Sequence, residues 1–146
     1  MKITQKGSYA LKAVLDLSVH YGEGLATIQA IANRIAAPAK FLEQVLVELK
    51  RAGFIESRRG KVGGYRLSRS PSNITLGEIV QFIDGSFKPV SENISDRPTR
   101  GDSYREALTP VWQRVLQATS DIIDHITFED LATKVCSVQN EPTYAI

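Results

Sequence analysis

Between residues 8 and 69, three short apolar stripes at helical spacing are followed by two β-like runs around a glycine-rich turn. No other feature of the chain restricts the fold so tightly. In SYALKAVLDLSVHY (8–21), Leu11, Val14, Leu15 and Val19 share a face, and Gly22 and Gly24 stop the segment as helix C-terminal glycines do. Thr27 precedes IQAIANRI, where its hydroxyl can take an orphan backbone N–H. Ile28, Ile31, Ala32 and Ile35 form the second stripe, and Ala36-Ala37-Pro38 break it; Pro38 suits the first turn of a following helix. Leu42, Val45, Leu46 and Leu49 recur at i, i+3, i+4, i+7 and mark a third helix, closed by Gly53. FIESR (54–58) and YRLSR (65–69) read as strands joined by RGKVGG, a hairpin loop with glycines for positive φ. Helix, helix, turn, helix, hairpin is the order of a winged helix-turn-helix. The expected class is therefore mostly α with a small β-hairpin.

The chain then continues into two further units. SNITLGEIVQFIDG predicts a fourth helix, with Thr75 and Glu78 spaced as a capping box. Residues 85–103, GSFKPVSENISDRPTRGDS, lose all periodicity and read as a linker. A long helix is expected from about Thr109 to Ile126, with Thr109 as cap and Pro110 in the first helical position. A start at Asp102 or Ser103 would instead require Pro110 to kink it. Leu108, Trp112, Val115, Thr119, Ile122 and Ile126 step by 4-3-4-3-4, a heptad seam that Leu116 and Ile123 widen. Thr127 caps a short last helix, FEDLATKV, and SVQNEPTYAI has no periodicity. The division is a DNA-binding domain (1–84), a linker (85–103), a dimerisation helix with a short terminal helix (104–135) and a tail (136–146).

Composition removes several function classes. No apolar run approaches the roughly 18–20 residues of a membrane span. The amino-terminal segment carries Asp16 and His20 inside its apolar stretch, unlike a secretory signal. The single Cys136 allows neither an intrachain disulfide nor a Cys-only metal site. A cytoplasmic protein with no membrane partner and no bound metal is expected. No nucleophile–base pair is visible, so an enzyme is not. His20 and His125 read as structural, and Cys136 as an ordinary cysteine, with only Lys134 nearby to favour a thiolate.

The net charge of +2 conceals a division. Residues 1–70 hold 12 Lys/Arg against 5 Asp/Glu, a balance of +7; residues 71–146 hold 6 against 11, a balance of −5; together these give the +2. Seven cations fall within residues 50–69 against Glu56 alone. Such a cluster attracts polyanions. In a helix-turn-helix, the second helix of the motif enters the major groove with its amino-terminal residues at base edges, which here means Ala39, Lys40, Phe41, Glu43 and Gln44. Glu43 can accept from cytosine N4, Gln44 can pair with adenine, and Lys40 suits guanine or phosphate. Arg58, Arg59, Gly60 and Lys61 would form a wing on phosphate or the minor groove. Each feature has a plainer reading: an exposed Glu is usually just solvated, hairpin tips are usually polar, and winged helices also dock proteins.

The segments MKITQKGSYAL, IANRIAAPAKFLEQVLVELKRAGFIESRRGKVGGYRLSR and ITFEDL resemble the Rrf-two family of bacterial transcription regulators over about residues 1–133. The resemblance implies a homodimer on double-stranded palindromic DNA and a long dimerisation helix. It implies DNA contacts at Lys2, at residues 39–44 and at residues 58–61. Family members often carry Ser where this chain has Pro38 or Lys40, so the operator does not transfer. Many relatives hold an iron–sulfur cluster through three cysteines, but residues 85–107 contain neither Cys nor His, so no cofactor is expected. DGSFKPV, ITFEDLA and the carboxyl-terminal Tyr144-Ala145-Ile146 resemble the cluster-free, CymR-like branch of cysteine-metabolism repressors. That likeness implies a partner enzyme, O-acetylserine sulfhydrylase, engaged by the tail, since a terminal carboxylate with an apolar side chain can mimic an amino-acid substrate. The expected function is a repressor of sulfur or cysteine metabolism genes. The alternative is an interaction module whose tail binds that enzyme.

Overall fold

The computed structural model describes residues 3–85 and 103–140. Its elements are α1 (Gln5–Val19), α2 (Ile28–Ile35), α3 (Ala39–Arg51), β1 (Ile55–Arg58), β2 (Gly64–Leu67), a 3-10 turn (Pro71–Asn73), α4 (Leu76–Asp84), α5 (Ser103–Ile123) and α6 (Phe128–Asn140). The architecture is helical with one two-stranded antiparallel sheet. Among the described residues no helix is long and apolar enough to cross a membrane.

Thr27 and Thr75 cap their helices as expected. Thr27 accepts the Ala30 N–H at 3.2 Å. Thr75 and Glu78 form a complete capping box. α1 starts earlier than its apolar stripe, because Thr4 caps it by accepting the Gly7 N–H at 3.0 Å. Pro38 is the N-cap of α3 rather than a first-turn residue; its carbonyl accepts from Leu42 N–H at 2.9 Å. The tight α2–α3 turn places Ala36 in the left-handed region, at φ 54°.

One core unites the elements. Ala10, Val14 and Leu17 of α1 meet Ile31 of α2, the whole stripe Leu42, Val45, Leu46 and Leu49 of α3, and Ile55 and Leu67 of the hairpin. Ile74, Ile79 and Phe128 complete it. Phe128 is fully buried, and it arrives there because the chain returns after α5. The Leu76 N–H donates to the Ile126 carbonyl at 2.8 Å, and the Phe128 N–H to the Ile74 carbonyl at 2.9 Å. α6 then lies against α1. The amino-terminal core thus includes a residue from the segment that the sequence groups with the dimerisation helix.

Asp16 is a buried carboxylate on α1, held by Arg34 of α2 through two bonds of 2.8 Å. Its bidentate grip, the largest cause, raises the Arg34 pKa above the ordinary arginine value. A raised cation pKa stabilises the fold below the unfolded value, and that contribution is lost only as pH rises through the folded value. The α1–α2 tie therefore holds across the whole physiological range.

Three boundaries differ from the sequence reading. α5 begins at Ser103, not Thr109, and Pro110 lies inside it. Thr109 is not a cap; its hydroxyl donates to the Arg105 carbonyl at 2.8 Å within the helix. The helix ends at Ile123, so Ile126 lies beyond it, and its carbonyl accepts from the Leu76 N–H of α4. α6 continues to Asn140, so residues 136–140 are helix rather than tail.

Candidate nucleic-acid interface

α3 buries one stripe and exposes the opposite one. With Leu42, Val45, Leu46 and Leu49 fully buried, the i, i+3, i+4, i+7 set Lys40, Glu43, Gln44 and Val47 is turned to solvent. Ala39 and Phe41 lie differently. Both are half-buried against the core, and Phe41 meets the Tyr9 ring edge-on at 5.4 Å. They seat the helix, while Lys40, Glu43 and Gln44 present polar groups. Val47 belongs to the exposed face although the sequence reading did not select it as a contact; its position seven residues after Lys40 carries that signal.

The hairpin follows α3 directly. Its register pairs Ile55 with Leu67, Glu56 with Arg66, Ser57 with Tyr65 and Arg58 with Gly64. Ala26 pairs with Tyr65 from below (2.9 and 2.7 Å), so the wing is fastened to the body. Lys50 Nζ donates to Ser57 Oγ at 2.6 Å, tying the end of α3 to β1. The tip turns through Gly60, whose φ of 118° suits glycine alone. Gly63 serves a different purpose: a Cβ there would lie 2.4 Å from the Arg58 carbonyl oxygen.

The cations of residues 50–69 separate into two groups. Arg66 is paired with Glu56. Arg69 reaches Glu78 at 3.0 Å and lies over the Phe54 ring. Lys50 is engaged by Ser57. Arg51, Arg58, Arg59 and Lys61 are exposed, and among the described residues no hydrogen bond or ion pair engages them. Arg51 ends α3, and the other three lie at the wing tip, beside Val62, which is 89% exposed. Val62 is a tip residue that the sequence reading passed over, because only its charged neighbours gave a signal. Lys2 and the tail residues Tyr144, Ala145 and Ile146 lie outside the described residues.

α5 is a 21-residue helix with no buried residue. Leu108, Trp112, Val115 and Ile122 are exposed, as is Val111, which the heptad reading omitted. Leu116, Thr119 and Ile123 are half-buried. Among the described residues nothing covers this apolar face.

A family profile described as Rrf2, iron-dependent transcriptional regulator, matches residues 3–134. The chain is 33% identical over 133 residues to the HTH-type transcriptional regulator CymR of Bacillus subtilis (strain 168), covering 91% of each chain. The solved structure of that protein, described as the global cysteine regulator of B. subtilis, superposes with a TM-score of 0.78 at 32% identity, covering 92% of this chain and 98% of that one. The T. potens IscR structure matches with a TM-score of 0.76 at 31% identity, covering 99% and 95%. These relatives regulate transcription and are not enzymes.

The donor atoms of this chain do not suit a thiolate-held iron–sulfur cluster. Such clusters need several cysteines, and the chain has one, exposed on α6. Among the described residues no three His, Cys, Asp or Glu side chains gather to hold a metal. With its winged-helix architecture, its exposed α3 face and a family match over nearly the whole length, the chain belongs to the Rrf2 family of transcriptional regulators.

Proposed function

We propose that this chain acts as a homodimeric, cluster-free repressor of sulfur or cysteine metabolism genes, reading palindromic DNA with α3 and gripping phosphate with the wing. The single observation that carries the DNA contact is the set of exposed cations Arg58, Arg59 and Lys61, which no described residue pairs, on a hairpin that follows the helix exposing Lys40, Glu43 and Gln44. Phosphate contacts fix register and base-edge contacts specify sequence. The wing supplies the first kind and the α3 face the second, with Lys2 adding a contact.

Dimerisation would cover the α5 face of Leu108, Trp112, Val115, Leu116, Thr119, Ile122 and Ile123. Aromatic and aliphatic anchors of this type dominate interface energies. The metabolic assignment is supported by the kinship with the B. subtilis global cysteine regulator. O-acetylserine sulfhydrylase is the proposed partner, engaged through Tyr144, Ala145 and Ile146, because a terminal carboxylate with an apolar side chain can mimic an amino-acid substrate. Calorimetric titration of that enzyme with the full chain and with a chain lacking Ile146 checks it; equal heats from both would remove the tail from the account.

The function is tested by selecting operators from a randomised DNA library and competing them against scrambled sequence. Specific protein–DNA pairs exceed nonspecific binding by about 10³–10⁷, so a selected palindrome should win by at least about a thousandfold. Equal competition by scrambled DNA would leave the fold as an interaction module instead.

A further inference from the structure

We propose that Asp84 is a positioning residue for DNA recognition, its carboxylate clasping the amino end of α1 and so fixing the seat of α3. The inference rests on the DNA-binding reading above. Asp84 is the last residue of α4 and lies 80 positions from Thr4 in sequence. The Thr4 backbone N–H donates to Asp84 Oδ2 at 3.2 Å, and the Thr4 hydroxyl donates to Asp84 Oδ1. That hydroxyl in turn accepts the Gly7 N–H. The carboxylate thus extends the cap of α1, where an anion is favoured by the helix dipole.

Gly7 is shaped to this contact. A Cβ at that position would lie 2.3 Å from Asp84 Oδ2 and 2.9 Å from its Cγ, so only glycine admits the carboxylate. The first turns of α1 hold α3 in their turn. Lys6 Nζ pairs with Glu48 Oε1 at 2.6 Å, and Tyr9 packs edge-on against Phe41. A displaced α1 terminus would move α3 through both contacts. A second carboxylate lies close to the other end of α4: a Cβ at Gly77 would lie 1.9 Å from Asp124 Oδ1. α4 is therefore a strut, with one carboxylate seated on its first turn from the end of α5 and one given from its last turn to α1.

Charge alone predicts the opposite behaviour. Removing an anion from a protein that binds a polyanion strengthens binding. The clasp predicts that removing this anion weakens it.

The test compares wild type, Asp84→Ala, Gly7→Ala, the Gly7→Ala/Asp84→Ala double variant and Arg59→Ala, by fluorescence anisotropy on an operator selected by the wild-type protein, with thermal melts of each. Asp84→Ala and Gly7→Ala should each lower affinity roughly fivefold, the scale of a lost helix cap. The double variant removes the clash and places Ala in a helix, which favours it over Gly. It should melt at or above the wild-type temperature and still bind weakly. Wild-type or tighter binding by Asp84→Ala, or recovery of affinity in the double variant, would overturn the clasp. If Arg59→Ala weakens binding while the Asp84 variants do not, the clasp alone fails. If the wild-type protein selects no DNA at all, the DNA reading fails and the clasp with it.

Discussion

Arg59 and Arg66 stand seven residues apart on one hairpin and do different work. Arg66 is neutralised by Glu56 across the register, whereas Arg59 faces solvent at the tip. Arg59→Ala should weaken binding to every DNA sequence alike, while Arg66→Ala should leave affinity nearly unchanged. Anisotropy on specific and scrambled duplexes separates the two, and equal losses would contradict the division. Glu43→Ala should behave otherwise. It should change which base is preferred at one operator position, at about 1–3 kcal/mol of discrimination, with little change in nonspecific affinity; a uniform loss on all operators would remove that role. The cluster of seven cations was legible in the sequence. Which of them are paired was not, because Glu56 and Glu78 find their arginines only once the hairpin is closed and α4 is docked. The same limit applies to Asp84, whose partner lies 80 residues away.

At the scale of elements, the helices with both local signals present were readable almost to the residue. α2 has a Thr cap and a clean stripe, and it spans the expected residues. α5 was misplaced at its start because Thr109-Pro110 imitates a helix beginning, while the turns before it carry no apolar periodicity. α6 extends past the expected end: residues 136–140 carry no apolar periodicity, yet nothing breaks the helix before Glu141-Pro142. Trp112 tests the role of α5. Trp112→Asp would bury a charge in the proposed dimer seam and should shift the sedimentation coefficient from dimer to monomer, with far-UV helicity retained. An unchanged dimer would place the interface elsewhere. Pro110 lacks the N–H of an interior helical residue. Pro110→Ala should raise stability by about 1–3 kcal/mol, read as an increased midpoint in urea; no change would mean that the helix is not continuous through this point.

At the scale of the whole molecule, the carboxyl-terminal segment completes the core of the DNA-binding domain. Phe128 shares its buried cluster with Val14, Leu42 and Leu46. Phe128→Ala should therefore destabilise the winged helix itself, by about 3–5 kcal/mol, and truncation before α5 should do no less. A melt in which the DNA-binding domain keeps its stability would contradict the single core. The charge division, +7 against −5 between the halves, acts with this architecture: the basic half carries α3 and the wing, and the acidic half carries α5 and α6. The central claim is that the exposed wing cations meet phosphate. It is tested most directly by the salt dependence of operator binding for the wild-type protein and for a variant with Arg58, Arg59 and Lys61 all changed to Ala. Each phosphate contact contributes about 0.9 to the slope of log affinity against log salt. The account predicts a variant slope shallower by about 2–3, with weaker binding at low salt; two parallel lines would contradict it.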